Sequence, residues 1–248
     1  MVPADAPGVT PGPPATPTLS LVIPARDEAE SLALLHAEVA AALDAIEGGY
    51  EVVFVDDGSV DESPAILAGL AAADHRVRVV RLETGRGQSA ALDAGFRAAR
   101  GEWIATIDAD LQNDPADLPR LLAYCTDGDI DVVNGVRTDR ADGLVRRASS
   151  RVANAIRNRL TGESVIDVGC SLRVMRASML REVKLYDGLH RFLPTLLRLE
   201  GARLIEVPVS HRPRRFGHSK YGVSNRLFAA MADLFAVRWM QRRHLKRD

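Results

Sequence analysis

Trp103-Ile104-Ala105-Thr106-Ile107-Asp108-Ala109-Asp110-Leu111-Gln112 is an apolar run that ends in two carboxylates and an amide. Its first five residues read as a buried strand, so Asp108, Asp110 and Gln112 emerge at the carboxyl end. In an extended segment residues i, i+2 and i+4 face one side, which predicts three oxygen donors on one face. With no Cys or His among them, the set suits a hard divalent cation, Mg²⁺ or Mn²⁺. A cation held by so few protein oxygens shares its other positions with water and substrate phosphates. An Asp-x-Asp alone is a weak signal, because a solvated turn at a strand end reads the same way. Its weight comes from the surrounding chain.

Upstream, Leu19–Pro24 reads as a strand, and Asp27 to Ile46 as a helix with Leu32, Leu35, Val39 and Leu43 at helical spacing. A second strand, Tyr50–Val55, runs into Asp56-Asp57-Gly58-Ser59; a helix then starts at Asp61 or Ser63, with Pro64 in its first turn. Val77–Leu82 is a strand and Gln88–Ala99 a helix. Beyond the acidic stretch, Pro115–Tyr124 is a helix and Asp131–Gly135 a strand. This alternation predicts the α/β class: a Rossmann-like, mostly parallel sheet with helices on both faces. Ligands of such sheets bind outside the carboxyl ends of the strands. Arg26-Asp27-Glu28, Asp56–Ser59 and Asp108-Ala109-Asp110 all fall there. The chain lacks a Gly-x-Gly-x-x-Gly after its first strand and a Gly-x-x-x-x-Gly-Lys-Ser/Thr, which removes dehydrogenases and P-loop enzymes. Gly85-Arg86-Gly87-Gln88 is Gly-rich but follows the third strand.

The net charge of −1 conceals an asymmetry. Residues 1–135 sum to −15 and residues 136–248 to +14. An acidic half for metal and a basic half for anions is what phosphate handling needs. Only Lys184, Lys220 and Lys246 are lysines; the other basic residues are Arg, whose planar fork suits phosphate. Two cysteines, Cys125 and Cys170, make neither a disulfide framework nor a metal cluster. The N-terminus lacks the regions of a signal peptide, and no apolar run reaches the ~18–20 residues of a membrane span. A cytoplasmic protein, peripheral at the cytoplasmic face of a membrane, is the expectation. Aromatics at 5% offer no stacking platform, so nucleic acid is not an expected partner.

Residues 1–17, with six prolines, are expected to be a disordered leader. Residues 18–222 are expected to form one domain, whose acidic half (18–135) would bind metal and nucleotide and whose basic half (136–222) would bind the acceptor. In the latter, the Arg-dense stretch Arg137–Arg159 is roughly helical, Cys170–Met175 is a strand and Arg191–Leu199 a helix. Leu204–Val209 is a strand whose Pro208 predicts an edge position, followed by the basic loop Arg212–Lys220. Residues 223–248 are expected to be an amphipathic helix with Leu227, Phe228, Met231, Leu234 and Phe235 as its stripe. Arg238, Arg242, Arg243, Lys246 and Arg247 make its basic end. Such a helix either packs on its own domain or lies on an anionic bilayer.

The order Val22-Ile-Pro24-Ala-Arg26-Asp-Glu28, Val55-Asp-Asp57-Gly-Ser59, Asp108-Ala-Asp110-Leu-Gln112 resembles the inverting family 2 glycosyltransferases of GT-A fold. Gly135-Val-Arg137 and Arg214-x-x-Gly217-x-Ser219-Lys220 narrow the resemblance to polyprenyl-phosphate glycosyltransferases of the dolichyl-phosphate mannose synthase type. The resemblance implies a nucleoside pocket lined by Pro24, Arg26, Glu28, Val55 and Asp57, where Arg26 departs from the residue often found. It implies metal ligation by Asp108, Asp110 and Gln112, with Ala109 keeping the backbone close to the ribose. Arg214 and Lys220 would reach the donor phosphates, and Arg137 and Arg151 the lipid phosphate or donor. Many members continue into membrane spans; here a peripheral protein, or one presented by a separate membrane partner, is implied, with Arg146-Arg147 facing headgroups.

The expected reaction is metal-dependent transfer of one sugar, mannose from GDP-mannose as first choice, to a polyprenyl phosphate. A phosphate acceptor needs no general base; a saccharide or lipid hydroxyl does. Asp167, in Asp167-Val-Gly-Cys-Ser171, is the candidate base for that alternative, and otherwise a cap before the Cys170 strand. A non-catalytic nucleotide-sugar-binding protein is the reading from another class, and it would not need the metal ligands.

Overall fold

The computed structural model describes residues 16–137, 158–159, 162, 165–216 and 224–245. The first part alternates strand and helix: β1 (Leu19–Ala25), α1 (Ala29–Leu43), β2 (Tyr50–Asp57), α2 (Ser63–Ala73), β3 (Val77–Leu82), α3 (Gln88–Ala98) and β4 (Trp103–Thr106). A 3-10 turn (Pro115–Asp117) leads into α4 (Leu118–Thr126), then β5 (Val132–Arg137), β6 (Arg173–Arg176) and one-turn α5 (Ala177–Leu180). A second 3-10 turn (Leu189–Phe192) precedes α6 (Leu193–Leu199), β7 (Leu204–Val209) and α7 (Ser224–Arg243). Leader residues 1–15, the Arg-dense stretch 138–157 with Arg146, Arg147 and Arg151, and Lys220 lie outside the described residues.

The seven strands among the described residues form one sheet in the order β3-β2-β1-β4-β6-β5-β7. β3, β2, β1 and β4 are parallel and β5 is parallel to β7, whereas β6 runs against both β4 and β5. The sheet continues through residues 135 and 136, where the two halves were expected to meet, because β5 spans both. Pro208 lies on edge strand β7, where its missing N–H costs no ladder bond. Central β1, β2 and β4 are buried on both faces, as strands covered by two helical layers must be. Leu21, Ile23, Val52 and Phe54 pack with α1, α2 and α4, and Val22, Val53, Val55 and Ile104 with α3 and α6. Each fully buried side chain of this kind contributes about 1.5–3 kcal/mol.

The strand order positions the site. From β3 the chain crosses to β4 on the far side of β1, so the order reverses at β1 and a crevice opens beyond the carboxyl ends of β1 and β4. Antiparallel β6 begins at that same end, and β5 and β7 finish there. Residues 107–114, 165–172 and 210–216 therefore converge on one rim.

α7 buries Leu234 and Val237 against Leu189, Phe192 and Leu196, with Met231 and Met240 partly covered. Phe235, expected in the apolar stripe, is instead 60% exposed, next to Trp239 at 64%. The buried positions step by three from Met231, so the stripe is rotated toward Val237 and Phe235 turns outward. The side chains of Leu227 and Phe228 lie outside the described ones. Among the described residues no helix is long and apolar enough to cross a membrane.

Candidate active site

The loops after β1, β2 and β3 are laced together. Asp27, at φ 48°, accepts from the Val60 N–H at 2.8 Å and donates its own N–H to Ser59 Oγ at 2.9 Å. The Glu28 N–H donates to Ser63 Oγ at 2.9 Å. Gly58, at φ 68°, comes so near the β3 loop that a Cβ would lie 2.6 Å from the Gly85 nitrogen. The Arg26 guanidinium covers Gly85 from the other side. Asp57 accepts from the Arg86 N–H at 2.7 Å and the Gly87 N–H at 2.9 Å. Gly87, at φ 87°, then opens α3. These contacts refine the expected nucleoside pocket. Pro24 and Val55 are side by side in register, but the Val55 side chain is buried beneath α3, so only its backbone can meet a ligand. Both Asp57 oxygens already serve backbone amides. Arg26 is exposed at the lip, and Glu28 is the N-cap of α1.

The acidic stretch is not extended. β4 ends at Thr106, and Leu111, 1% exposed, adopts φ 60°. A left-handed leucine is costly and is held here by burial of its side chain in the core. The turn corrects the expectation that Asp108, Asp110 and Gln112 line up on a straight strand. Gln112 instead faces the basic loop: its Nε2 lies 3.5 Å from both His211 Nε2 and the Arg212 carbonyl oxygen. Its N–H donates to Asp110 Oδ1 at 3.2 Å. Ala109 is buried between the two acids. Asp108 Oδ1 accepts from Gln88 Nε2 at 2.9 Å. Burial, then the Asp110 charge, push the Asp108 carboxyl above its ordinary range; a Ser171 hydrogen bond and the charges of Arg173 and Arg137 pull it back.

Cations ring these acids. Arg214 Nη2 donates to Asp110 Oδ2 at 2.6 Å. Arg212 is a fastener, reaching Glu38 and Asp114 at 2.6 Å each, while its N–H donates to the Gln112 carbonyl at 2.7 Å. A β-bridge between Asn113 and His211 completes that anchorage. On the other side, Arg137 clasps Asp167 through Nε at 2.8 Å and Nη2 at 2.9 Å. Asp167 also accepts from the Arg137 N–H at 3.3 Å and the Gly169 N–H at 3.1 Å.

Behind this pair lies buried Arg173, which donates to Asn134 Oδ1 at 2.9 Å, the His190 carbonyl at 3.0 Å and the Val168 carbonyl at 2.8 Å. His190 Nδ1 lies 2.7 Å from Ser89 Oγ. Burial, then the charges of Arg191 and Arg173, lower its pKa from 6.5 to about 3. Between those values the unfolded chain binds a proton that the folded imidazole refuses. Stability is thus present above pH 6.5 and lost as the pH falls toward 3. Relative to His190→Asn, the wild type should lose at most about 2 kcal/mol more between pH 7 and pH 5, measured by urea unfolding. Equal losses would contradict this.

Gln88, Ser89, Arg173, His190 and Arg212 were not named as site residues from the sequence. Two had a visible signal: Gln88 follows the Gly-rich Gly85–Gly87 turn, and Arg212 opens the basic loop. Among the described residues no group of three or more His, Cys, Asp or Glu could hold a metal ion. The candidate donors for a divalent cation, the Asp108 and Asp110 carboxylates and the Gln112 amide oxygen, are all hard oxygens. They fit such an ion, and the Arg214 guanidinium on Asp110 Oδ2 shows that a positive group is accommodated there. Burial pushes the Cys125 and Cys170 thiols up to about 12 and about 11, leaving them neutral.

Residues 20–184 match the family Glycosyl transferase family 2. The chain is 40% identical over 233 residues to the dodecaprenyl-phosphate galacturonate synthase of Rhizobium johnstonii, covering 90% of this chain and 67% of that one. It is 41% identical over 217 residues to an undecaprenyl-phosphate 4-deoxy-4-formamido-L-arabinose transferase of Edwardsiella ictaluri, covering 87% and 66%. It thus spans only some two thirds of the length of these relatives. Among solved structures it is similar to Mycobacterium tuberculosis glucosyl-3-phosphoglycerate synthase in complex with Mn²⁺, UDP and phosphoglyceric acid. That match has a TM-score of 0.66 at 19% identity and covers 94% and 81% of the two chains. A mannosyltransferase of Pyrobaculum calidifontis in complex with GDP-Man and Mn²⁺ aligns with a TM-score of 0.65 at 19% identity, covering 96% and 68%. These likenesses bear out the expected GT-A-type fold. On the extent of the family match and the identity to its polyprenyl-phosphate members, this chain belongs to glycosyl transferase family 2.

Proposed function

We propose that the chain transfers one sugar, with inversion at the anomeric carbon, from a nucleotide sugar to a polyprenyl phosphate. The observation that carries this reading is the commitment of Asp167 to Arg137. A carboxylate that accepts two guanidinium and two backbone hydrogen bonds is a poor general base, and the acceptor that needs none is already an anion. A phosphate monoester is largely dianionic at pH 7, with a second pKa of about 6. The named acceptors of the two relatives, dodecaprenyl and undecaprenyl phosphate, give independent support.

The chain's residues then have the following work. Pro24, Arg26, Glu28, the Val55 backbone and the Asp57-clamped loop frame the nucleoside, with Ala109 beside the ribose. Arg214 and Lys220 bring positive charge to the diphosphate, and Arg137 and Arg151 hold the lipid phosphate or the donor. A Mg²⁺ or Mn²⁺ held by Asp108, Asp110 and Gln112 would add positive charge against the leaving diphosphate; the metal complexes of the fold neighbours support this. The acceptor oxygen attacks the anomeric carbon as the bond to the diphosphate oxygen breaks. No proton moves, and the rate comes from positioning and charge stabilisation.

The sugar is left to a donor panel. The relatives are named for galacturonate and 4-deoxy-4-formamido-L-arabinose. Mannose from GDP-mannose, the first choice by resemblance, draws support only from the fold neighbour crystallised with GDP-Man. For location we propose peripheral contact with the cytoplasmic membrane face, supported by exposed Phe235 and Trp239 beside Arg242 and Arg243 on α7.

Asp167→Asn tests the acceptor. The asparagine keeps the shape but loosens Arg137, so transfer to a phosphate should fall only about 10-fold through lost positioning. A loss beyond about 10³-fold would favour a hydroxyl acceptor with Asp167 as its base. Release of nucleoside diphosphate at any steady rate removes the non-catalytic reading.

A further inference from the structure

We propose that Gln88 is a positioning residue that sets the orientation of the Asp108 carboxylate for its cation. This rests on the proposed reading of Asp108 as a metal ligand. Gln88 Nε2 lies 2.9 Å from Asp108 Oδ1, a contact across 20 residues of sequence. Its origin is held with unusual firmness. Asp57 clamps the Arg86 and Gly87 amides, and Gly87 takes a backbone conformation at φ 87° that L side chains rarely adopt. Gln88 is thus delivered to Asp108 by β2 and α3 together.

The chemistry explains why an amide stands there. The Asp110 charge opposes the ionised form of Asp108, and the charges of Arg173 and Arg137 favour it. A Lys or Arg at position 88 would neutralise the carboxylate and compete with a divalent cation, as Arg214 does at Asp110. The Gln amide donates one hydrogen bond and adds no charge. It restrains rotation of the carboxylate about its Cβ–Cγ bond and leaves the full negative charge for the metal. Carboxylate ligands are commonly held in this way, and loss of the holding group typically weakens metal binding 10–100-fold.

Mn²⁺ titration of the full chain, followed by electron paramagnetic resonance, tests the proposal in Gln88→Leu and Gln88→Asn. Leu removes the donor; Asn keeps the amide but falls short, so one variant serves if the other folds poorly. Both should bind Mn²⁺ about 10–100-fold more weakly, with unchanged thermal midpoints. Their turnover should recover as Mn²⁺ is raised, which a merely structural role would not allow. If the wild type binds Mn²⁺ and both variants bind it equally well, the role of Gln88 is overturned while the metal reading stands. Weak binding with no recovery at high Mn²⁺ also overturns it. If the wild type binds no Mn²⁺ with or without nucleotide, the metal reading itself has failed and this inference falls with it.

Discussion

Asp110→Asn should abolish Mn²⁺ binding and sugar transfer together, with turnover lower by at least about 10³-fold, as expected where a cation supplies several kcal/mol of charge stabilisation. Asp110 is 8% exposed and has Arg214 on Oδ2 and the Gln112 amide on Oδ1. Asparagine is nearly isosteric and can still accept from Gln112 N–H, so the turn at Leu111 should persist. Only the charge is lost. Donor-dependent release of nucleoside diphosphate and an Mn²⁺ titration measure the two effects. A variant that binds Mn²⁺ as the wild type does would remove Asp110 from the metal site.

Arg214→Met should move two quantities in opposite directions. Arg214 occupies Asp110 Oδ2, so if Asp110 ligates the cation as proposed, removing the guanidinium should tighten Mn²⁺ binding to the nucleotide-free chain several-fold. Turnover should nevertheless fall by about 10²–10³, because the positive charge proposed to stabilise the leaving diphosphate is gone. The opposed signs separate this role from general damage, which would lower both. Arg214→Lys should restore only part of the activity, since an ammonium keeps the charge but not the bidentate fork. Mn²⁺ affinity that falls along with turnover would contradict the account.

Much of the fold was legible because parallel strands and their helices write strong periodic patterns. Leu32, Leu35, Val39 and Leu43 lie buried on α1 as their spacing implied, and every strand through β4 begins within a residue of its apolar run. The direction of β6 was not legible. Its apolar pattern is the same for either polarity, yet antiparallel pairing is what brings Asp167 and Ser171 to the rim. The Asp110–Gln112 turn was misread because a left-handed leucine has no local signal; burial of its side chain in the core dictates it. The stripe on α7 depended on which face met Leu189 and Phe192, a tertiary choice that periodicity leaves open within one residue.

Among site residues, Asp108 and Asp110 stood out because two acids follow a buried strand directly. Arg214 was named by resemblance, but its contact with Asp110 spans 104 residues and could not be read from spacing. The Arg137–Asp167 pair and Gln88 were hidden for the same reason: each joins segments that meet only once the sheet is assembled. Asp167, the candidate base of the hydroxyl-acceptor alternative, is held by Arg137 in the structure.

The most direct test of transfer to a polyprenyl phosphate is release of nucleoside diphosphate in Mg²⁺ or Mn²⁺. A panel of UDP- and GDP-sugars, GDP-mannose and UDP-galacturonate included, would be run with and without short-chain polyprenyl phosphate. The account predicts release that requires one donor, the metal and the lipid phosphate together. Release that the lipid phosphate leaves unchanged, while a saccharide or lipid hydroxyl stimulates it, would contradict it.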